Sequence, residues 1–265
     1  MRKVVQSESK ATSLYWQSSG EGEDLVLLHG WGMNGAVWHQ AVEELSQNYR
    51  VHVVDLPGFG HSHQHHFDTV EHMAELVLEH APEKATWLGW SLGGLLATHI
   101  ALHHPERVEK LITVASSPKF SAERPWRGIQ PNVLSAFTDQ LVEDFQLTIE
   151  RFMALQAMGS PSARQDVKTL KKAVLSRPTP NPKSLLSGLN LLAELDYRDA
   201  LTHISMPTLR LYGRLDGLVP AKVASDVDKL MPSSESYMFG ASSHAPFMTE
   251  FSDFCQQVSR FITDK

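Results

Sequence analysis

The chain holds a single cysteine, Cys255, which excludes an intramolecular disulfide and suits a reducing compartment, the cytoplasm. No apolar run is long enough to cross a bilayer, because the 42% hydrophobic content is dispersed over 265 residues. Met1 to Ser13 is mostly polar and has no sustained apolar segment, so it does not read as a secretory signal. Positive charge is not in excess; a net charge of −6 argues against general nucleic-acid binding. No internal repeat is evident. What remains is enough apolar residue for one large α/β domain, or for one domain carrying a sizeable insertion. Cys255 falls in the expected last helix and reads as a small buried hydrophobe.

Strand-like and helix-like segments alternate, which predicts a mainly parallel, doubly wound sheet with helices on both faces. Leu25 to Leu28 and Val51 to Val54 are apolar or nearly so, as buried parallel strands should be. Ala85 to Leu88, Val108 to Ala115, Thr208 to Tyr212 and Glu235 to Phe239 read as further strands. Val37 to Gln47, Thr69 to His80 and Glu250 to Thr263 read as helices. Between about Pro118 and Asp199 the alternation stops and the spacing is helical throughout. Leu141, Val142, Phe145, Ile149, Phe152 and Gln156 trace one helix face there. Gly159 ends that helix, Ser160 and Pro161 suit the start of the next, and Arg164 to Leu175 continues it. Arg177 to Pro182 is a proline-rich extended connector. The expected organisation is an α/β core over residues 12–118 and 200–265, a helical cap over 119–199, and a disordered leader over 1–11.

Gly89-Trp90-Ser91-Leu92-Gly93 is the stretch that carries chemistry. A G-x-S-x-G pentapeptide between a strand and a helix turns the serine hydroxyl out above the sheet. The bland alternative is a serine that only caps a helix. A serine hydroxyl needs a base, and the base needs an orienting acid. When the order along the chain is serine, acid, histidine, only His244 of fourteen histidines follows the last plausible acid. Asp216, directly after the strand at Thr208 to Tyr212, is the expected acid, with Asp196 and Asp199 as competitors. The oxyanion of acyl transfer needs two N–H donors. The backbone of Leu92 supplies one, and that of Trp31 in His29-Gly30-Trp31-Gly32 supplies the other, with the Trp31 indole facing the acyl pocket.

Two charged clusters are weaker signals. His61, His63, His65 and His66 crowd one loop, but no cysteine or fixed helical spacing accompanies them, so no metal is assigned. From Leu147 to Lys172 there are five basic residues against two acids, a local excess of positive charge in an acidic chain. Arg164, Lys168 and Lys171 or Lys172 share one helical stripe. A basic stripe of this kind is either a solvated face or a docking surface for an acidic partner.

With these motifs assembled, the chain resembles the α/β-hydrolases over nearly its whole length. More narrowly, it resembles the family of bacterial carboxylesterases that act on pimeloyl-[acyl-carrier protein] methyl ester in biotin synthesis. The segments that carry this likeness are Leu27 to Gly32, Trp87 to Gly94, Val114 to Pro118, Glu150 to Gln156, Leu211 to Pro220 and Ser243 to Phe247. The resemblance implies an α/β-hydrolase fold with an inserted helical cap, no cofactor, and a monomeric enzyme whose partner is acyl-carrier protein. It implies that Ser91, Asp216 and His244 are catalytic. It implies a substrate site of Trp31, Ser91, Leu92, His244 and the stretch Phe152, Met153, Ala154, Leu155 and Gln156. Arg151, Arg164 and Lys168 would dock the carrier. The family tends to have a basic residue one turn before Arg151, where this chain has Leu147. A general short-chain carboxylesterase with the same triad, and a non-catalytic binding module, are the alternatives.

Overall fold

The computed structural model describes residues 13–264; the leader expected over residues 1–11 lies outside the described residues. Seven strands form one sheet: β1 (Trp16–Ser19), β2 (Glu23–Leu28), β3 (Tyr49–Val54), β4 (Ala85–Trp90), β5 (Val108–Val114), β6 (Thr208–Gly213) and β7 (Glu235–Phe239). Their order across the sheet is β1-β3-β2-β4-β5-β6-β7. Every neighbouring pair is parallel except β1 with β3, where Trp16 pairs with Val54 and Ser19 with Val51. All six residues of β4 are buried, as a central strand covered on both faces requires.

The chain reverses direction at β3. Right-handed crossovers then put α1 (His39–Leu45), which joins β2 to β3, on the face opposite α2 (Val70–Leu78) and α3 (Leu92–His103). The packing agrees, with α1 against the last helix and α2 against α3. Thr69 caps α2, accepting a hydrogen bond from the backbone of His72. The helix expected from Val37 is preceded by a 3-10 turn at Gly35–Trp38, started by the Asn34 side chain.

Between β5 and β6 lie four helices: α4 (Pro131–Glu143), α5 (Phe145–Ala157), α6 (Ala163–Leu175) and α7 (Pro182–Glu194). The single helix face expected from Leu141 to Gln156 is corrected to two helices that meet at Asp144. That residue is extended, and its carboxylate accepts from Leu147 N, starting α5 afresh. Val142, placed on the same face by the spacing, is therefore 79% exposed. Asn181 caps α7 and Pro182 takes its first position. Leu185, Leu189 and Leu192 recur along its buried face.

The four-helix insertion is tied to the sheet domain at both ends. Where the chain enters and leaves, Lys119 pairs with Asp196 at 3.1 Å, Arg198 pairs with Glu123 at 2.7 Å, and Tyr197 N donates to Pro118 O. At the other end the Asn34 amide donates to Ala173 O and Val174 O, closing the last turn of α6. Arg177 pairs there with the fully buried Asp55, and Asn181 N donates to Gly58 O.

Past β6 come α8 (Lys222–Leu230), the short α9 (Pro246–Thr249) and α10 (Phe251–Thr263). Cys255 is buried in α10, and burial pushes its thiol up to about 12, so it stays protonated. No helix among the described residues is long and apolar enough to cross a membrane.

Candidate active site

Four loops leave the C-terminal ends of the parallel strands β2, β4, β6 and β7, the edge at which ligands usually bind in an open α/β sheet. They carry Trp31, Ser91, Asp216 and His244.

Ser91 sits between β4 and α3 with φ of 55° and ψ of −117°, a strained conformation for a residue with a side chain. The surroundings force it. A Cβ on Gly89 would come within 2.1 Å of Gly93 O, and one on Gly93 within 2.5 Å of Leu28 O. Both positions therefore accept only glycine, and the turn can close tightly enough to raise the serine. Ser91 N is held by Val114 O, and Ser91 O accepts from the Ser116 hydroxyl.

The three side chains selected by chain order lie together. Ser91 is 1% exposed, His244 0% and Asp216 6%. His244 Nδ1 is 2.7 Å from Asp216 Oδ2, and its Nε2 is 2.9 Å from Ser91 Oγ. A carboxylate only accepts, so Nδ1 carries the proton and Nε2 is free to accept from the serine hydroxyl. The other carboxylate oxygen of Asp216 accepts from Leu218 N at 2.8 Å and Val219 N at 3.0 Å. That turn fixes the acid, and the acid fixes the ring. The competing carboxylates lie elsewhere, where the chain leaves the insertion. Asp196 is held down to about 2 by hydrogen bonds from Arg198 and Lys119, and Asp199 leads into a 3-10 turn at Ala200–His203.

Leu92 is the first residue of α3, so its N–H has no acceptor within the helix. The other expected donor lies close by, since a Cβ on Gly30 would come within 3.3 Å of Ser91 Cβ. Trp31 is fully buried, and its indole N–H donates to Leu185 O on α7 at 2.8 Å. Its ring stands edge-on to Phe152, 4.8 Å between centroids. An oxygen placed above Ser91 could thus meet two backbone N–H groups in a site that excludes water.

The stretch from Phe152 to Gln156 does not face one way. Phe152, Met153 and Gln156 are buried, Leu155 is half-buried, and Ala154 is exposed. The assignment of the whole stretch to the pocket is corrected for Ala154, which helical rotation turns to solvent. Both side-chain polar atoms of Gln156 are buried without a hydrogen-bond partner among the described residues, an arrangement that costs stability unless a ligand or water completes it. Arg151, Arg164 and Lys168 are exposed on α5 and α6. Leu147 is 38% exposed on the first turn of α5. Among the described residues no group of three or more His, Cys, Asp or Glu could hold a metal.

Two supports of the site lie within its sequence motifs, although the motifs themselves assign neither a role. The Trp90 indole N–H donates to His244 O at 2.7 Å, tying the histidine loop to the strand that carries the serine. His29 is fully buried, and its Nε2 accepts from Leu56 N. Its Nδ1 must then hold the proton, donated to Gly30 O at 2.9 Å. The imidazole braces the loop before Trp31.

Burial lowers the His29 pKa from 6.5 to about 4. The unfolded chain therefore takes up this proton first as pH falls. The His29 contribution is complete above about pH 6.5 and is lost progressively down to about pH 4, a total on the order of 3 kcal/mol. His99 titrates in the same direction, also lowered by burial to about 4. Denaturation of the wild type and of His29→Gln between pH 7 and 4 separates the two. The variant should show a shallower loss, and identical slopes would remove His29 as a source.

A family model described as alpha/beta hydrolase fold matches residues 25–251. The chain belongs to the alpha/beta hydrolase family. Its relatives there include the pimeloyl-[acyl-carrier protein] methyl ester esterase of Vibrio campbellii, 72% identical over 95% of this chain and 99% of the relative. The protein of the same name from Vibrio cholerae is 70% identical, over 95% of this chain and 98% of the relative. Among solved structures, an esterase from Exiguobacterium antarcticum superposes with a TM-score of 0.84 at 23% identity, covering 95% and 96% of the two chains. At that identity the superposition speaks for the fold.

Proposed function

We infer that the protein is a serine carboxylesterase that hydrolyses the methyl ester of pimeloyl-[acyl-carrier protein] methyl ester, releasing methanol and leaving a free distal carboxylate in biotin synthesis. The chemistry rests on the continuous chain from Asp216 through His244 to Ser91 Oγ. The substrate rests on nearly full-length identity of 72% to a relative of that name.

In this reading Ser91 Oγ attacks the ester carbonyl while His244 Nε2 takes the hydroxyl proton. The N–H groups of Trp31 and Leu92 hold the oxyanion of the tetrahedral intermediate. Collapse breaks the bond to methoxide, which leaves as methanol with the proton from His244. A water then gives its proton to His244 and attacks the acyl-enzyme, releasing the carboxylic acid and restoring Ser91. Asp216 stays ionised throughout and stabilises the imidazolium.

Residues 119–199 serve as a cap over the core formed by residues 12–118 and 200–265. Phe152 and Met153, with Trp31, form the apolar wall for the acyl chain, and the unpartnered Gln156 amide offers the polar contact. The carrier docks from outside on Arg151, Arg164 and Lys168. The protein works as a monomer in the cytoplasm, without a cofactor.

Methanol release from methyl-pimeloyl carrier protein, with the thioester intact, tests the reading directly. Reversing Arg151, Arg164 and Lys168 to Glu should raise KM for this substrate by about 100-fold while kcat for a small soluble ester stays unchanged. Salt should shrink the defect of single alanine variants, because the Debye length falls to about 3 Å at 1 M. Equal losses on both esters would mean a damaged cap. No loss on either would mean that the basic stripe is only a solvated face, and the carrier assignment would then rest on the likeness to the relatives alone.

A further inference from the structure

The histidine loop is anchored on three sides, and one anchor runs to α5. Trp90 holds His244 O from the sheet. Leu215 N, next to the acid, donates to Ser242 O at 3.0 Å. From the insertion, Gln156 O accepts from His244 N at 3.2 Å, and Met158 O accepts from the Ser243 hydroxyl at 2.9 Å. Ser243 is 2% exposed, and its hydroxyl also lies 3.4 Å from Leu215 O. Met158 is the residue that ends α5, and Gly159 after it turns the chain with φ of 92° beside Leu215 O. One hydroxyl therefore touches the end of α5 and the acid loop, one residue from the base.

We propose that Ser243 is a positioning residue that couples the C-terminal end of α5 to His244, so that an acyl chain held against α5 orients the imidazole. The proposal rests on the reading of α5 as the acyl wall. Phe152 lies six residues before Met158, the cap of the same helix, so a chain that immobilises Phe152 also immobilises the Met158 carbonyl. Ser243 passes that order to the residue whose Nε2 must meet Ser91 Oγ. Binding energy gained far from the ester is thereby used to orient the base, and it appears in kcat as well as in KM. A two-carbon acyl group offers α5 less contact than a six-carbon one and so draws less from this link.

The test compares p-nitrophenyl acetate with p-nitrophenyl hexanoate on wild type, Ser243→Ala, Gly159→Ala and Phe152→Ala, with a thermal melt of each. Ser243→Ala should lower kcat for the hexanoate by about tenfold with KM within about twofold, and should change kcat for the acetate by less than about twofold. Gly159→Ala, which strains the turn directly after the Met158 carbonyl and brings a Cβ to 3.2 Å from Leu215 O, should give the same chain-length-selective loss. Equal kcat losses on both esters would overturn the proposal and make Ser243 a purely structural contact. No loss on either would overturn it as well. Phe152→Ala reports separately on the acyl wall: it should raise KM for the hexanoate alone, and an unchanged KM would defeat the wall whatever Ser243 does.

Discussion

Ser91→Ala should lower kcat for ester hydrolysis on the order of 10³-fold or more while the fold and substrate affinity stay close to wild type. The alanine keeps the same Cβ, so it fits the strained turn that Gly89 and Gly93 permit without a new clash. His244 loses one partner but keeps Asp216 at its other nitrogen and Trp90 at its carbonyl. The N–H groups of Leu92 and Trp31 remain, so binding survives, and only the covalent route disappears. Steady-state kinetics, with stoichiometric labelling by a serine-directed phosphonate, check this. Retention of more than about a tenth of wild-type kcat would remove Ser91 as the nucleophile. Failure of the wild type to label would point to a binding module.

The second large effect is expected at the acid and the base. Asp216→Asn should preserve the turn, because an amide oxygen can still accept from Leu218 N and Val219 N. Its amide nitrogen, however, donates toward His244 Nδ1 and drives the ring proton to Nε2. The ring then cannot accept from Ser91, and kcat should fall by about 10³- to 10⁴-fold. His244→Ala should be about as damaging as Ser91→Ala, and the double variant should lose little more, since the two side chains act as one unit. Asp196→Asn is the control. Its carboxylate is engaged by Arg198 and Lys119 at the neck of the insertion, so kcat should be unchanged. A larger loss there than at Asp216 would reverse the assignment of the acid.

Much of this site is legible before any fold is known, because its parts are local. The turn around Ser91 needs glycine at fixed offsets, and those glycines are visible in the sequence. The acid and the histidine each follow a short apolar strand, and their order along the chain leaves few candidates. The supports are not legible in the same way. Nothing around Arg177 announces that it pairs with Asp55 across 122 positions, and nothing around Leu185 announces that its carbonyl receives the Trp31 indole. His29 could have been suspected from its place before Gly30-Trp31. Only burial and the bond from Leu56 N make it a neutral brace.

Alternation of apolar strands and helices determined the α/β class, and residue spacing together with chain order selected Ser91, Asp216 and His244. Those signals are local periodicity and local steric demand, which a linear sequence records directly. Tertiary structure decided the rest. The four-residue β1 carries no buried apolar core of its own and forms only because β3 offers an edge to pair with. The helix break at Asp144 depends on a side chain satisfying an N–H when the chain turns, not on the apolar spacing that runs through it. Ala154 sits in the middle of a stretch that reads as one wall, yet the packing of α5 against its neighbours sets the rotation that turns it outward. The pairing of β1 and the rotation of α5 are settled by contacts between residues far apart in sequence, whose energies exist only once the chain has brought them together.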